Sequence, residues 1–139
     1  MRNYGLSVFL LVVLAIAITL ACGSSPRILQ SVSLSPPTAD AQGSPVQFTA
    51  TGYYNEPPSP VKPLTATWGA CYQNQPTPEV SVSASGLAQC AAGVAGTFTV
   101  WAFAPSGQKP CAAPALVPVN ECGGSGSCNV TGTAQLTCP

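Results

Sequence analysis

One stretch restricts the fold more than any other: Ser85 to Ala104, which reads SGLAQCAAGVAGTFTVWAFA. Gly86 opens a short apolar run, Gly93 and Gly96 bracket a turn, and Thr97 to Phe103 then alternate in type. Phe98, Val100 and Ala102 fall on one face, and Thr97, Thr99, Trp101 and Phe103 on the other. Such alternation marks a half-buried strand, because successive side chains leave opposite faces of the pleat. The stretch reads as strand, glycine turn, strand.

Composition extends that reading to the whole chain. The 139 residues include 15 Pro and 13 Gly, a balance that favours many short strands and turns over helices. Beyond the N-terminus no apolar pattern of helical period occurs, so the chain is all-β or largely so. Its length allows one modest domain. Only 6% of residues are charged, there is no His, and the formal net charge is zero. With no basic patch to hold phosphates, nucleic acid is disfavoured as a partner.

The N-terminus is patterned differently. Met1 to Tyr4 carry Arg2, and Gly5 to Ala21 are almost wholly apolar. That run falls short of the about 20 apolar residues a membrane span needs. A charged start, an apolar run and small residues after it describe a secretory signal peptide over residues 1–21. It ends in Thr19-Leu20-Ala21-Cys22-Gly23-Ser24-Ser25, which resembles the bacterial lipobox, with Thr19 standing where Leu is usual. The resemblance implies cleavage before Cys22 and a diacylglycerol on its thiol. Gly rather than Asp at position 23 implies sorting to the outer membrane. An ordinary signal peptide or an uncleaved anchor helix is the other reading of the same run. Acyl chains contribute about 0.8 kcal/mol per buried methylene, so two or three hold a protein to a bilayer durably.

From Cys22 to Arg27 the chain reads as a short flexible tether, and residues 28–139 as the folded domain with a Cys-rich C-terminal extension. Ile28 to Ser35 form a first strand, with Ile28, Val32 and Leu34 facing one way and Leu29 the other; Pro36-Pro37 stop it. Thr38 to Pro45 read as a polar connection. Val46, Phe48 and Ala50 line a second strand that ends near Tyr53-Tyr54. Four prolines between Asn55 and Pro63 predict an irregular surface loop. Leu64, Ala66 and Trp68 line a third strand, Gln73 to Pro78 turn the chain, and Val80 and Val82 make a short one. Pro105 to Ser127 read as long and irregular, and Val130 to Thr137 as a last strand.

About seven short strands with a central Trp on the third describe an immunoglobulin-like sandwich. Residues 29–104 resemble the bacterial immunoglobulin-like domain of group 2. The resemblance is carried by Ser31-Val32-Ser33-Leu34-Ser35-Pro36, Val46-Gln47-Phe48-Thr49-Ala50, Ala66-Thr67-Trp68, Ser85-Gly86-Leu87, and Ala92-Gly93 leading to Gly96-Thr97-Phe98-Thr99-Val100. Two features depart from it. Gly69-Ala70-Cys71-Tyr72 follow the Trp where the family has Ser or Asn, and the family does not usually carry this many cysteines.

Without Cys22, six of the 7 Cys remain: Cys71, Cys90, Cys111, Cys122, Cys128 and Cys138. An even number in an exported chain with a small core implies disulfides. Their placement favours Cys71–Cys90 as a staple through the sandwich, then Cys122–Cys128 across a Gly/Ser spacer, which leaves Cys111–Cys138. Zinc is disfavoured, since there is no His and no Cys-x-x-Cys pair. Calcium would want clustered carboxylates, and Asp40, Glu56, Glu79 and Glu121 are scattered.

Trp68 shares a face with Leu64 and Ala66 and reads as core. Trp101 and Phe103 point away from Phe98 and Val100. Either they are an exposed face able to stack on sugars or meet a protein, or the segment from Pro105 to Ser127 folds over them. Asn129-Val130-Thr131 fits a glycosylation acceptor that a bacterial host would leave inert. No nucleophile elbow, phosphate loop or set of titratable groups for proton transfer is visible, and no cofactor is implied. The expectation is a non-enzymatic, lipid-anchored envelope protein serving adhesion, surface contact or spacing, with a cell-wall, glycan or protein ligand. A periplasmic carbohydrate-binding or accessory module is the alternative.

Overall fold

The computed structural model describes residues 25–108, 122 and 128–139. The signal peptide, Cys22 and Cys111 lie outside the described residues. Within them every regular element is a strand: β1 (Leu29–Ser35), β2 (Thr38–Asp40), β3 (Val46–Gln47), β4 (Thr49–Tyr54), β5 (Thr67–Tyr72), β6 (Gln75–Pro76), β7 (Val80–Val82), β8 (Leu87–Cys90), β9 (Gly96–Pro105) and β10 (Asn129–Cys138).

The strands form a β-sandwich. One layer has the order β2-β10-β9-β5-β6. The other is built from β1-β4 and β3-β8-β7. Its two parts are continuous because β3 and β4 are one run interrupted at Phe48, whose N–H donates to the Gly86 carbonyl at 2.9 Å. Apolar residues spaced two apart bring Phe98, Val100 and Ala102 from β9, and Ala134 and Leu136 from β10, into one core with Val32, Leu34, Phe48 and Ala50 of the facing layer. Phe48, Phe98, Leu136 and Val100 are essentially inaccessible, and each such burial contributes about 1.5–3 kcal/mol. Where β1 crosses β10 the backbones nearly touch: a Cβ on Gly132 would lie 2.6 Å from the Val32 carbonyl oxygen.

Turn chemistry follows the sequence. Gln73 and Asn74 both take left-handed φ (50° and 62°) in the two-residue turn joining β5 to β6, as the right-handed twist of a hairpin favours. Gly86 takes φ +84°, and a side chain there would meet the Phe48 carbonyl at 2.5 Å and Trp68 Cζ2 at 2.9 Å. Only glycine satisfies both demands.

Three strand-level expectations are corrected. The alternation predicted from Ile28 is broken by a register shift between Leu29 and Ser31, so Leu29, not Ile28, is buried with Val32 and Leu34. A bulge adds one residue and returns the side chains to the opposite face. The connection after Pro37 contains β2, which pairs in parallel with β10 from Gln135↔Thr38 to Thr137↔Asp40. The third strand begins at Thr67, with Leu64 buried ahead of it and its N–H on the Ala50 carbonyl at 2.8 Å.

The disulfide pairing also differs from expectation. Cys71 bonds Cys122, with Cα atoms 5.6 Å apart, and Cys90 bonds Cys138 at 6.0 Å. Alternation along β5 is the reason Cys71–Cys90 does not form. Trp68 and Ala70 contact the core, so Cys71 projects from the outer face, whereas Cys90 and Cys138 both pack inward. Cys128 is disulfide-bonded too, and since Cys122 is held by Cys71, the expected Cys122–Cys128 loop is absent. The expected Cys111–Cys138 bridge is excluded in the same way by Cys90.

Candidate functional site

The outer face of β5, β9 and β10 holds the aromatic pair singled out from the sequence. Gly69 stands opposite Trp101 in the β5–β9 ladder, and Thr133 opposite it in β10. The indole folds across the strand gap onto the glycine: a Cβ at Gly69 would lie 2.2 Å from Trp101 Cζ2. Glycine leaves the floor that the aromatic ring covers, a pairing that offsets the strand-weakening effect of the glycine itself. Phe103 stacks on the indole, with ring centroids 5.5 Å apart and planes at 15°. Trp101 is 6% exposed and Phe103 half-buried. Trp101 is therefore not the outward aromatic platform that alternation alone allowed. The Cys71–Cys122 bond lies on the same face, one ladder position beyond the Val100 pair, and pins the C-terminal segment there at Cys122.

Trp68 is half-buried against the core rather than fully inside it. It lines a shallow cleft of about 420 Å³ with Phe48, Leu64, Gln47 and Ser85. Gln47 Nε2 donates to the carbonyls of Phe48 and Ser85, each at 2.7 Å, and so closes the polar side of the cleft. Among the described residues Tyr53 and Tyr72 are the most exposed aromatics, at 42% and 40%; the Tyr72 ring also meets that of Phe98, with centroids 5.2 Å apart and planes tilted by 39°.

The described carboxylates are spread over the molecule. Asp40 accepts the Gln42 N–H at 3.2 Å, and Glu79 accepts the Thr77 hydroxyl at 3.3 Å. Both serve local turns. Among the described residues no group of three or more His, Cys, Asp or Glu side chains could hold a metal. The acceptor Asn129 is buried in the folded domain, at 8% exposure.

Sequence reading missed one polar cluster. Asn55, from the loop after β4, bonds the backbone at Pro26 and Ile28, and Arg27, from the segment before β1, donates to the carbonyls of Glu56 and Pro58. The partners in this cluster lie 27 to 31 positions apart, so no local pattern marks it. No protein-family model matches the chain, and no curated protein matches it either. The disulfides call for an oxidising environment, extracellular or periplasmic.

Proposed function

We propose that the protein is an exported, lipid-anchored, immunoglobulin-like module of the bacterial envelope that acts without catalysis, in surface contact or as a rigid spacer. The observation that carries this reading is the pair of cross-links on a small β-sandwich. Cys90–Cys138 joins the two layers, and Cys71–Cys122 fastens the outer face. Such stapling suits a domain held outside the cytoplasm. Strand order supports the immunoglobulin-like part: β1-β4/β3-β8-β7 against β10-β9-β5 follows the two-sheet order of that sandwich. The lipobox-like Leu20-Ala21-Cys22 supports the anchor. Packing of the Trp101 indole on Gly69 and Phe103 weighs against the carbohydrate-binding alternative.

Expression in a bacterial host with a labelled fatty acid tests the anchor. Label on the wild-type chain and none on Cys22→Ser is the expected result; label persisting on Cys22→Ser refutes it. A hydrolase screen with purified protein tests the non-catalytic part, and turnover by the protein would overturn it.

A further inference from the structure

Pro26 to Ile28, a few residues after Cys22, are held to the domain by hydrogen bonds. Asn55 Nδ2 donates to the Pro26 carbonyl at 3.2 Å, and the Ile28 N–H donates to Asn55 Oδ1 at 2.6 Å. The Asn55 N–H returns to the Ile28 carbonyl at 3.1 Å. Arg27 lies with its guanidinium carbon 3.6 Å from the Tyr54 ring centre and donates to the carbonyls of Glu56 and Pro58. The tether expected to run to Arg27 is thus fastened to the domain from Pro26 onward. Between Cys22 and Pro26 an extended chain reaches at most about 14 Å. Strands β9 and β10, of 10 residues each, span roughly 33 Å.

From this geometry we infer that the end of the sandwich carrying the loop from Asn55 to Pro63 rests against the headgroup layer of the membrane that holds Cys22. The opposite end, with Ala91 to Gly96, points away. The inference rests on the lipid-anchor reading and adds an orientation to it. Surface chemistry at this end fits a bilayer interface. Tyr53, Pro57, Pro58 and Pro60 are exposed, and exposed Lys62 follows them. An aromatic with a polar tip suits the headgroup level, and a lysine there attracts anionic lipid. Glu56, half-buried, shares this end. Asp40 faces Thr137 near the end of β10, and the Glu79 carbonyl accepts the Ala91 N–H, so both lie at the far end. Asp40 and Glu79 are thereby kept from a negatively charged surface, which leaves Glu56 as the described acid at the loop end.

The test uses full-length acylated protein in vesicles of phosphatidylcholine and phosphatidylglycerol containing a headgroup-nitroxide lipid. A tryptophan reporter is added at the loop by Pro58→Trp or, separately, Lys62→Trp, and at the far end by Ala92→Trp. Quenching is read against the unsubstituted chain. Either loop reporter should be quenched several-fold more than Ala92→Trp, and a long Gly/Ser insert between Ser25 and Pro26 should bring them toward equality. Equal quenching on the native tether, with acyl label present on the chain, overturns the orientation alone. Absence of acyl label overturns the lipoprotein reading and the orientation with it.

Discussion

Replacing Gly69 by alanine tests the packing of the outer face. Mid-strand, removing a glycine would ordinarily stabilise by about 0.5–1 kcal/mol, because alanine has less backbone entropy to lose. Here the new Cβ would lie 2.2 Å from Trp101 Cζ2, 2.6 Å from Cε2 and 2.9 Å from Cη2. The indole is buried and stacked on Phe103, so it cannot swing away without giving up that contact. Overpacking of this kind costs about 1–3 kcal/mol, which outweighs the entropic gain and leaves Gly69→Ala destabilised by about 1–2 kcal/mol. In a Trp101→Phe background the outer ring of the indole is gone, and the same substitution should be neutral or stabilising. The cycle then gives a coupling of at least about 1 kcal/mol. Urea titration of the oxidised proteins, followed by far-UV circular dichroism, reads it as midpoint shifts at constant slope. Gly69→Ala that stabilises the Trp101 protein, or effects that add within about 0.3 kcal/mol, would refute the reasoning.

Cys90→Ala with Cys138→Ala opens a cross-link of sequence separation 48; loop-closure entropy puts the loss at about 4 kcal/mol, and a loss under about 1 kcal/mol in the same titration would contradict it. Thiol titration of the denatured, unreduced protein should find Cys71, Cys90, Cys122, Cys128 and Cys138 unreactive, and reaction at any of them would contradict the pairing. Gly132→Ala places a Cβ 2.6 Å from the Val32 carbonyl oxygen and 2.9 Å from its carbon. Because backbone rather than a side chain must yield, it should cost about 2–3 kcal/mol; an unchanged melting midpoint would show that the layers part there freely.

The sequence by itself determined the class of fold and the faces of most strands. Alternation is a local consequence of the pleat, and so Phe98, Val100 and Ala102 could be assigned to the core from their spacing alone. Gly93 and Gly96 announced their turn for an equally local reason, since both take a positive φ, which glycine adopts without steric cost. Alternation also put Trp101 and Phe103 on the opposite face, but it could not say what lies over that face. The folded structure sets Gly69 opposite Trp101 and shows the indole to be buried. The bulge after Leu29 shifted one residue's face in a way that only pairing with β4 reveals. Parallel pairing of β2 with β10 joins residues about a hundred positions apart. Disulfide partners were hidden for the same reason: a cysteine's spacing gives its direction on one strand, whereas its partner depends on where the other strands are stacked. Arg27 and Asn55 likewise become a clamp only because β1 and β4 lie side by side. Directions of side chains are encoded locally, and what each direction meets is a property of the folded whole.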